Sequence, residues 1–532
     1  MKNEVIEGYR LSPQQKHLWS LQQFNSTLPY RAQCAIPIEG NLDPKRLELA
    51  LQNVVNRHEI LRTTFRCLPG MTIPLQVITD SSTLSIHCHD LRGLDTQEQE
   101  VKSEALFNEL LQRPLALEDG VSLYASLVIL SPQKHCLVLS LSALCADTAT
   151  LLNLANEVIN IYTANLKDGQ LSDEPTQYVD IAEWQNEILE SEDTKTGVEF
   201  WQKQSLDAAF CLKLPLENKV DKITNFQFKA LNFRVNQDLV SKIEVLAEKH
   251  NTSTSVFLLA CWQTLLWRLT GQQTIIVGKA FNGRKYEELE RSLGLLAKHL
   301  PLTGHLDREL KFSEILKQAD ESVAESYKWQ EYFDWDKVLN LTENNQESAF
   351  LPFSFEFSEQ PELYCTNELS FSVDKQYVCF DRFKVKLSCL RQKDFLTTEF
   401  QYDSALFDVE TIDRLASQFQ TLLESAINHP EVEIGKLEIL KPSDRKQLLV
   451  EFNQTHADYP LDRCIHQLFE EQAERTPDDI AVVFEDQQLT YAELNKRSNQ
   501  LAHHLQRLGV KPEVLVGLFV ERSLDLIIGL LG

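Results

Sequence analysis

The sequence predicts an α/β protein made of two lobes of similar size, followed by a short α/β piece. Three observations predict it. Apolar runs with strand character alternate with amphipathic stretches of helical period along the whole chain. The same succession of strands and helices occurs twice, in 1–185 and again in 186–440, each a usual length for one folding unit. From Glu438 to Arg463 the texture turns polar, with Pro442 and Pro460, before a new pattern starts at Cys464. Residues 441–463 are therefore read as a linker and 464–532 as the beginning of a further domain.

In the first lobe Ser12 caps a helix, with Pro13 at its first position and Gln15 three residues on. Leu18, Leu21 and Phe24 share its inner side. Residues 32–38 form a strand, and 44–57 an amphipathic helix with Leu47, Leu49, Leu51, Val54 and Val55 toward the core. The pattern over 57–65 turns to strand. Further strands are expected at 74–79 and 84–90, a helix at 98–112, and two strong strands at 123–130 and 136–142 around the turn SPQK. A helix then starts at Asp147 or Thr148 and ends near Asn165.

The second lobe has a strand at 226–235, helices at 238–249 and 254–270, a strand at 274–280 and a helix at 312–328. Strands at 351–357, 368–373, 383–389 and 396–402 and a long helix at 409–427 complete it. The last piece shows a helix (465–475), strands (481–484, 488–490), a helix (491–508), a strand (514–519) and the start of another helix. About 70 residues cannot close an α/β domain, so this piece reads as truncated.

A net charge of −26 leaves no clustered Lys/Arg surface for nucleic acid or an anionic membrane, so neither is expected as a partner. The 11 cysteines are scattered without a C-x-x-C pair, which fits reduced thiols of a cytoplasmic protein. The N-terminus lacks a signal-peptide pattern, and no run of about 18 apolar residues offers a membrane span. His87 and His89 share a strand face without further ligands in view, so no metal site is expected.

The junction of strand 136–142 with the following helix holds Ser142-Ala143-Leu144-Cys145-Ala146-Asp147-Thr148. Two rigid elements fix such a turn, which suits it to hold a reactive group. Asp147 is also placed to cap the helix. Cys145 has apolar neighbours and no adjacent base, which favours packing over nucleophilic use.

Several stretches together resemble the condensation domain of nonribosomal peptide synthetases, followed by the start of an adenylation domain. They are SPQQKHLWSL (12–21), RHEILRTTF (57–65), YVDIAEW (178–184), VGKAFNGR (277–284) with LGLLAKHLPL (293–302), and the closing 400–430; LTYAELN (489–495) resembles the first core motif of adenylate-forming enzymes. The resemblance implies a V-shaped pair of chloramphenicol-acetyltransferase-like lobes around a tunnel. Two carrier proteins would present phosphopantetheine thioesters there, and an acyl group would pass to an amine or hydroxyl. It implies a donor carrier in trans, with adenylation and carrier domains downstream in cis. No cofactor is expected to bind directly, and the adenylation piece stops before a phosphate loop, so no complete ATP site is expected.

The family's motif at the lobe junction is His-His-x-x-x-Asp-Gly, whose second histidine serves the attacking amine. That position is Ala143 here, and only the aspartate, Asp147, is kept. Losing a positioned base costs a factor of about 10²–10⁴ in rate, while proximity alone is worth roughly 7–11 kcal/mol. The segments 293–302 and SYKWQEYFDW (326–335) depart too. By resemblance, Asp147 pairs with Arg284 across the lobes, with Arg62 as a second partner; Ser142 and His299 are the residues left to assist chemistry, His299 being the replacement base. The alternatives are a silent scaffold that positions the adenylation domain or recruits a tailoring enzyme, and a heterocyclising enzyme, which would want a carboxylate where Ser142 stands.

Overall fold

The structure is a computed structural model that describes residues 7–23, 30–80, 82–114, 117, 123–164, 174–204, 206–219, 226–339, 349–360, 369–393 and 395–532. It forms two units, Met1–Ser443 and Asp444–Gly532.

The first unit holds two six-stranded sheets. In the first sheet Arg31–Gly40 and Leu123–Ser131 flank Lys134–Ser142, both antiparallel to it, and Ile86–Asp90 runs parallel to Leu123–Ser131. Leu75–Ile78 instead pairs with Thr63–Arg66 in a separate two-stranded sheet. Helices Pro44–Arg57 and Thr148–Thr163 pack together, burying Leu47, Leu51, Val54 and Val55 against Leu151, Leu154 and Val158. Leu49, expected inward, is 67% exposed. It lies two residues from both Leu47 and Leu51, about 200° round the helix. Phe24 lies outside the described residues.

The second sheet runs in the order Phe228–Val235, Leu396–Asp403, Val385–Arg391, Phe353–Glu359, Thr274–Phe281, Lys298–His305. Phe353–Glu359 is parallel to both its neighbours and the other pairs are antiparallel. Helix Thr254–Thr270 is buried from Val256 to Leu266, as its unbroken apolar run requires, and closes on Gly271 in the left-handed conformation. Lys298–His305 is a strand that the periodicity of LGLLAKHLPL did not announce.

One expectation is corrected here. The sequence pattern places 368–373 among the second lobe's own strands. Leu369–Phe371 and Lys375–Val378 instead pair antiparallel with Arg31–Gly40 of the first sheet. Polypeptide from the second half thus covers what would be an open edge of the first sheet.

The second unit has helix Ile465–Arg475, the hairpin Ile480–Phe484/Gln487–Thr490, and helices Tyr491–Arg507 and Leu524–Leu531 around Leu489, Leu494, Leu524 and Ile528. Thr490 and Glu493 form a capping box for Tyr491–Arg507. The expected strand 514–519 is not formed; Leu515 and Phe519 are fully exposed. A strand needs a neighbour for its ladder, and the hairpin of this unit does not extend to it. Part of the expected linker is regular, since Pro442–Leu449 is a helix.

Candidate active site

Lys134–Ser142 ends where helix Thr148–Thr163 begins, and the turn between them is sealed. Ser142 is 1% exposed, and Ala143 to Asp147 are each 0% exposed. Ala143 N donates to Tyr30 O (3.0 Å) and Cys145 N to Ser142 O (2.9 Å). Ser142 Oγ accepts from Leu144 N (3.2 Å), an ordinary task for a hydroxyl at a strand end. Gln15 Nε2 donates to Leu144 O (2.9 Å), and Ser12 Oγ meets Tyr178 OH (2.8 Å), which donates to Leu295 O (2.6 Å). Three family-like segments of the sequence therefore close around this turn.

Asp147 does two jobs. Oδ1 accepts from Thr150 N and Thr150 Oγ1 (2.8 Å each), the helix cap. Oδ2 accepts from Arg284 Nη1, Leu296 N and Ala297 N, each at 2.9 Å, reaching into the second lobe. Burial pushes this carboxyl up, but Arg284 and the amide donors outweigh it and hold the group below its ordinary value. Arg284, 3% exposed at its side chain, also donates to Thr150 Oγ1 (2.9 Å), Asn282 O (2.9 Å) and Ser292 O (3.0 Å). The turn that delivers it needs Gly283. Its φ is +69°, and a Cβ would stand 2.0 Å from Leu296 O.

Arg62 does not meet Asp147. Its Nη1 donates to Thr79 O (2.5 Å) and its Nη2 lies 3.6 Å from Glu59. Arg62 leads into the small two-stranded sheet and serves that sheet. Among the described residues no three His, Cys, Asp or Glu side chains converge as metal ligands, and His87 is exposed.

His299 lies at the start of Lys298–His305, two residues beyond Ala297. Its Nδ1 is 2.9 Å from Asp381 Oδ2, its ring stacks on Phe380 (4.8 Å, 17°), and its Nε2 is buried with no hydrogen-bond partner among the described residues. Asp381 Oδ1 lies 3.2 Å from His17 Nε2, and His17 stacks on Trp335 (5.3 Å). Burial raises the Asp381 carboxyl, but the two imidazoles win and hold it far below its ordinary range. Beside this group Lys298 Nζ reaches Gln330 O (3.1 Å) and Glu331 (3.4 Å). Thr148 Oγ1 donates to Glu356 (3.2 Å), which pairs with Lys386 (2.9 Å). Burial lowers nearby Lys279 to about 8, partly opposed by Glu356.

Sequence reasoning missed His17, Asp381, Glu331 and Glu356. His17 lies inside SPQQKHLWSL but outside its matched positions, Glu331 lies in the departing stretch 326–335, and Asp381 and Glu356 lie in no motif. The one signal was that 293–302 and 326–335 departed from the pattern together. In the fold, Lys298 of the first segment pairs with Glu331 of the second.

The condensation-domain family model matches residues 5–449, and the AMP-binding enzyme model matches 469–532. Bacitracin synthase 3 of Bacillus licheniformis is 30% identical over 535 residues, covering 100% of this chain and 8% of that protein. The condensation domain of the monacolin K polyketide synthase MokA superposes with a TM-score of 0.70 at 20% identity, covering 81% of this chain and 100% of that one. The X-domain in its complex with OxyB from teicoplanin biosynthesis gives 0.67 at 20%, covering 82% and 97%. The chain belongs to the condensation-domain family of peptide synthetases and runs on into the start of an AMP-binding domain. It spans less than a tenth of the length of bacitracin synthase 3.

Proposed function

We propose that residues 1–440 join carrier-bound groups: an amine, or a hydroxyl, on one phosphopantetheine arm takes the acyl group from a thioester on another. Carrier proteins present both groups, and an adenylation domain stands in cis. The observation that supports this is the Asp147 carboxylate with five donors from both lobes. It keeps the family's lobe junction assembled although the histidine at position 143 is gone. With the junction rigid, holding two thioesters together supplies much of the barrier reduction, and aminolysis of a thioester is intrinsically easy. The same reading places the chain in the cytoplasm. No helix among the described residues is long and apolar enough to cross a membrane.

A second reading is a silent scaffold that recruits a tailoring enzyme. The sealed turn favours it, since Ala143 to Asp147 offer no surface to a substrate, as does the fold shared with an X-domain whose structure is a complex with OxyB. Heterocyclisation is the weaker reading, because it would want a carboxylate where Ser142 stands.

The test is a single-turnover assay of the full chain with donor-loaded and acceptor-loaded carriers, read by mass spectrometry. A condensed product is expected. No product from a broad panel of acyl and aminoacyl pairs would overturn the first reading in favour of the second.

A further inference from the structure

A histidine with one nitrogen anchored and the other buried and unused needs a reason. An unpaired polar atom inside a protein costs about 1–3 kcal/mol. His299 Nε2 is such an atom. A charged carboxylate carries only acceptors, so the ring nitrogen facing Asp381 is an N–H donor. For neutral His299 this fixes the tautomer: Nδ1 carries the proton and Nε2 carries the free lone pair. Asp381 is itself held by His17 Nε2 (3.2 Å) and by Arg382 N (2.8 Å). Phe380 stacks on the ring and restrains it.

The location matters as much as the tautomer. Tyr30 O accepts from Ala143 N (3.0 Å), and the next residue's carbonyl, Arg31 O, accepts from Cys379 N (2.9 Å), two residues before Asp381. On the opposite side, Asp147 holds Leu296 N and Ala297 N, two residues before His299. Thr148, next to Asp147, bonds Glu356, whose carboxylate feels the His299 ring. Two hydrogen-bonded routes therefore bring the imidazole to the flank of the turn from which the family's histidine has gone. Among the described residues the titratable groups linked to the ring include Asp381, His17 through Asp381, Glu356 and, through Glu356, Lys386.

We propose that His299 is the general base of this centre, with Asp381 and His17 as positioning residues that fix its tautomer. The assignment rests on the condensation reading above. The amine nitrogen attacks the thioester carbonyl carbon and His299 Nε2 takes the proton that nitrogen loses. The C–N bond is made, the C–S bond breaks, and the proton passes from Nε2 to the departing sulfur, which leaves as a thiol. His299 ends as it began.

The experiment uses the full chain with donor-loaded and acceptor-loaded carriers under single turnover. His299→Gln keeps a donor toward Asp381 but no comparable base, and His299→Gly leaves room for added imidazole. With wild-type product formed, His299→Gln is expected to slow the step by about 10²–10⁴ with carrier affinity unchanged. Imidazole should restore rate to His299→Gly, and Asp381→Asn should move the pH–rate profile. Product formed by wild type and His299→Gln at equal rates would overturn this assignment and leave the condensation reading standing. No product from wild type would overturn both.

Discussion

Asp147 and Asp381 are both buried carboxylates where the two lobes meet, yet their donors differ in kind. Asp147 takes three backbone amides and one hydroxyl, from its own helix and from the second lobe, plus Arg284, and none of these groups is an imidazole. Asp381 takes one backbone amide, Arg382 N, and two imidazoles, and one imidazole keeps a nitrogen with no hydrogen-bond partner among the described residues. A carboxylate saturated by fixed dipoles and a guanidinium is a fastener. One bonded to a histidine sets that histidine's proton. The turn keeps the carboxylate that fastens, Asp147, and has Ala143 where the resemblance places a histidine. The two departing segments meet in the fold, Lys298 pairing with Glu331, and Trp335 of the second stacks on His17.

The largest effect that tests this contrast is Asp147→Ala. It leaves Arg284 buried without its carboxylate and should destabilise the first unit by about 3–5 kcal/mol, read by urea unfolding of the full chain. Asp381→Asn should alter rate more than stability; the reverse pattern would erase the distinction. Gly283→Ala strains the turn that delivers Arg284 and should cost about 1–3 kcal/mol, read the same way. Acid should act on the fastener specifically. The Asp147 carboxyl sits below its ordinary value of 3.8. Its contribution is thus fully present above about pH 5 and is lost as pH falls through the ordinary value toward the lowered one. Wild type should lose more stability between pH 5 and pH 3 than Asp147→Asn does, by chemical denaturation at each pH. The smallest effect is expected of Lys298→Met with Glu331→Leu. Replacing both members of a buried ion pair by apolar groups should stay within about 1 kcal/mol of wild type or stabilise it, whereas either change alone should destabilise.

Much of this was legible in the sequence, and the reasons are local. Asp147 and Arg284 lie in segments that resemble the family's motifs, so their meeting was readable from the pattern. The helices came from apolar spacing, and Leu49 failed only because a two-residue step leaves the buried stripe. Asp381 was invisible, because it is 82 residues from His299 and 364 from His17 in a segment without a motif. Strand pairing is a non-local choice, so the attachment of Leu369–Phe371 and Lys375–Val378 to the first sheet carried no sequence signal either. The 514–519 run has strand character, but character without a neighbour did not make a strand.

That borrowed strand decides how the molecule can be cut. A gene fragment ending at residue 185 would expose the flank of Arg31–Gly40, whose residues Ala32, Cys34, Ile36 and Ile38 are buried in the intact fold. Such a fragment would present an unsatisfied ladder of peptide groups beside apolar side chains and would stick to copies of itself. Module swapping by recombination should therefore treat residues up to Ser443 as indivisible, with exchange points sought beyond them.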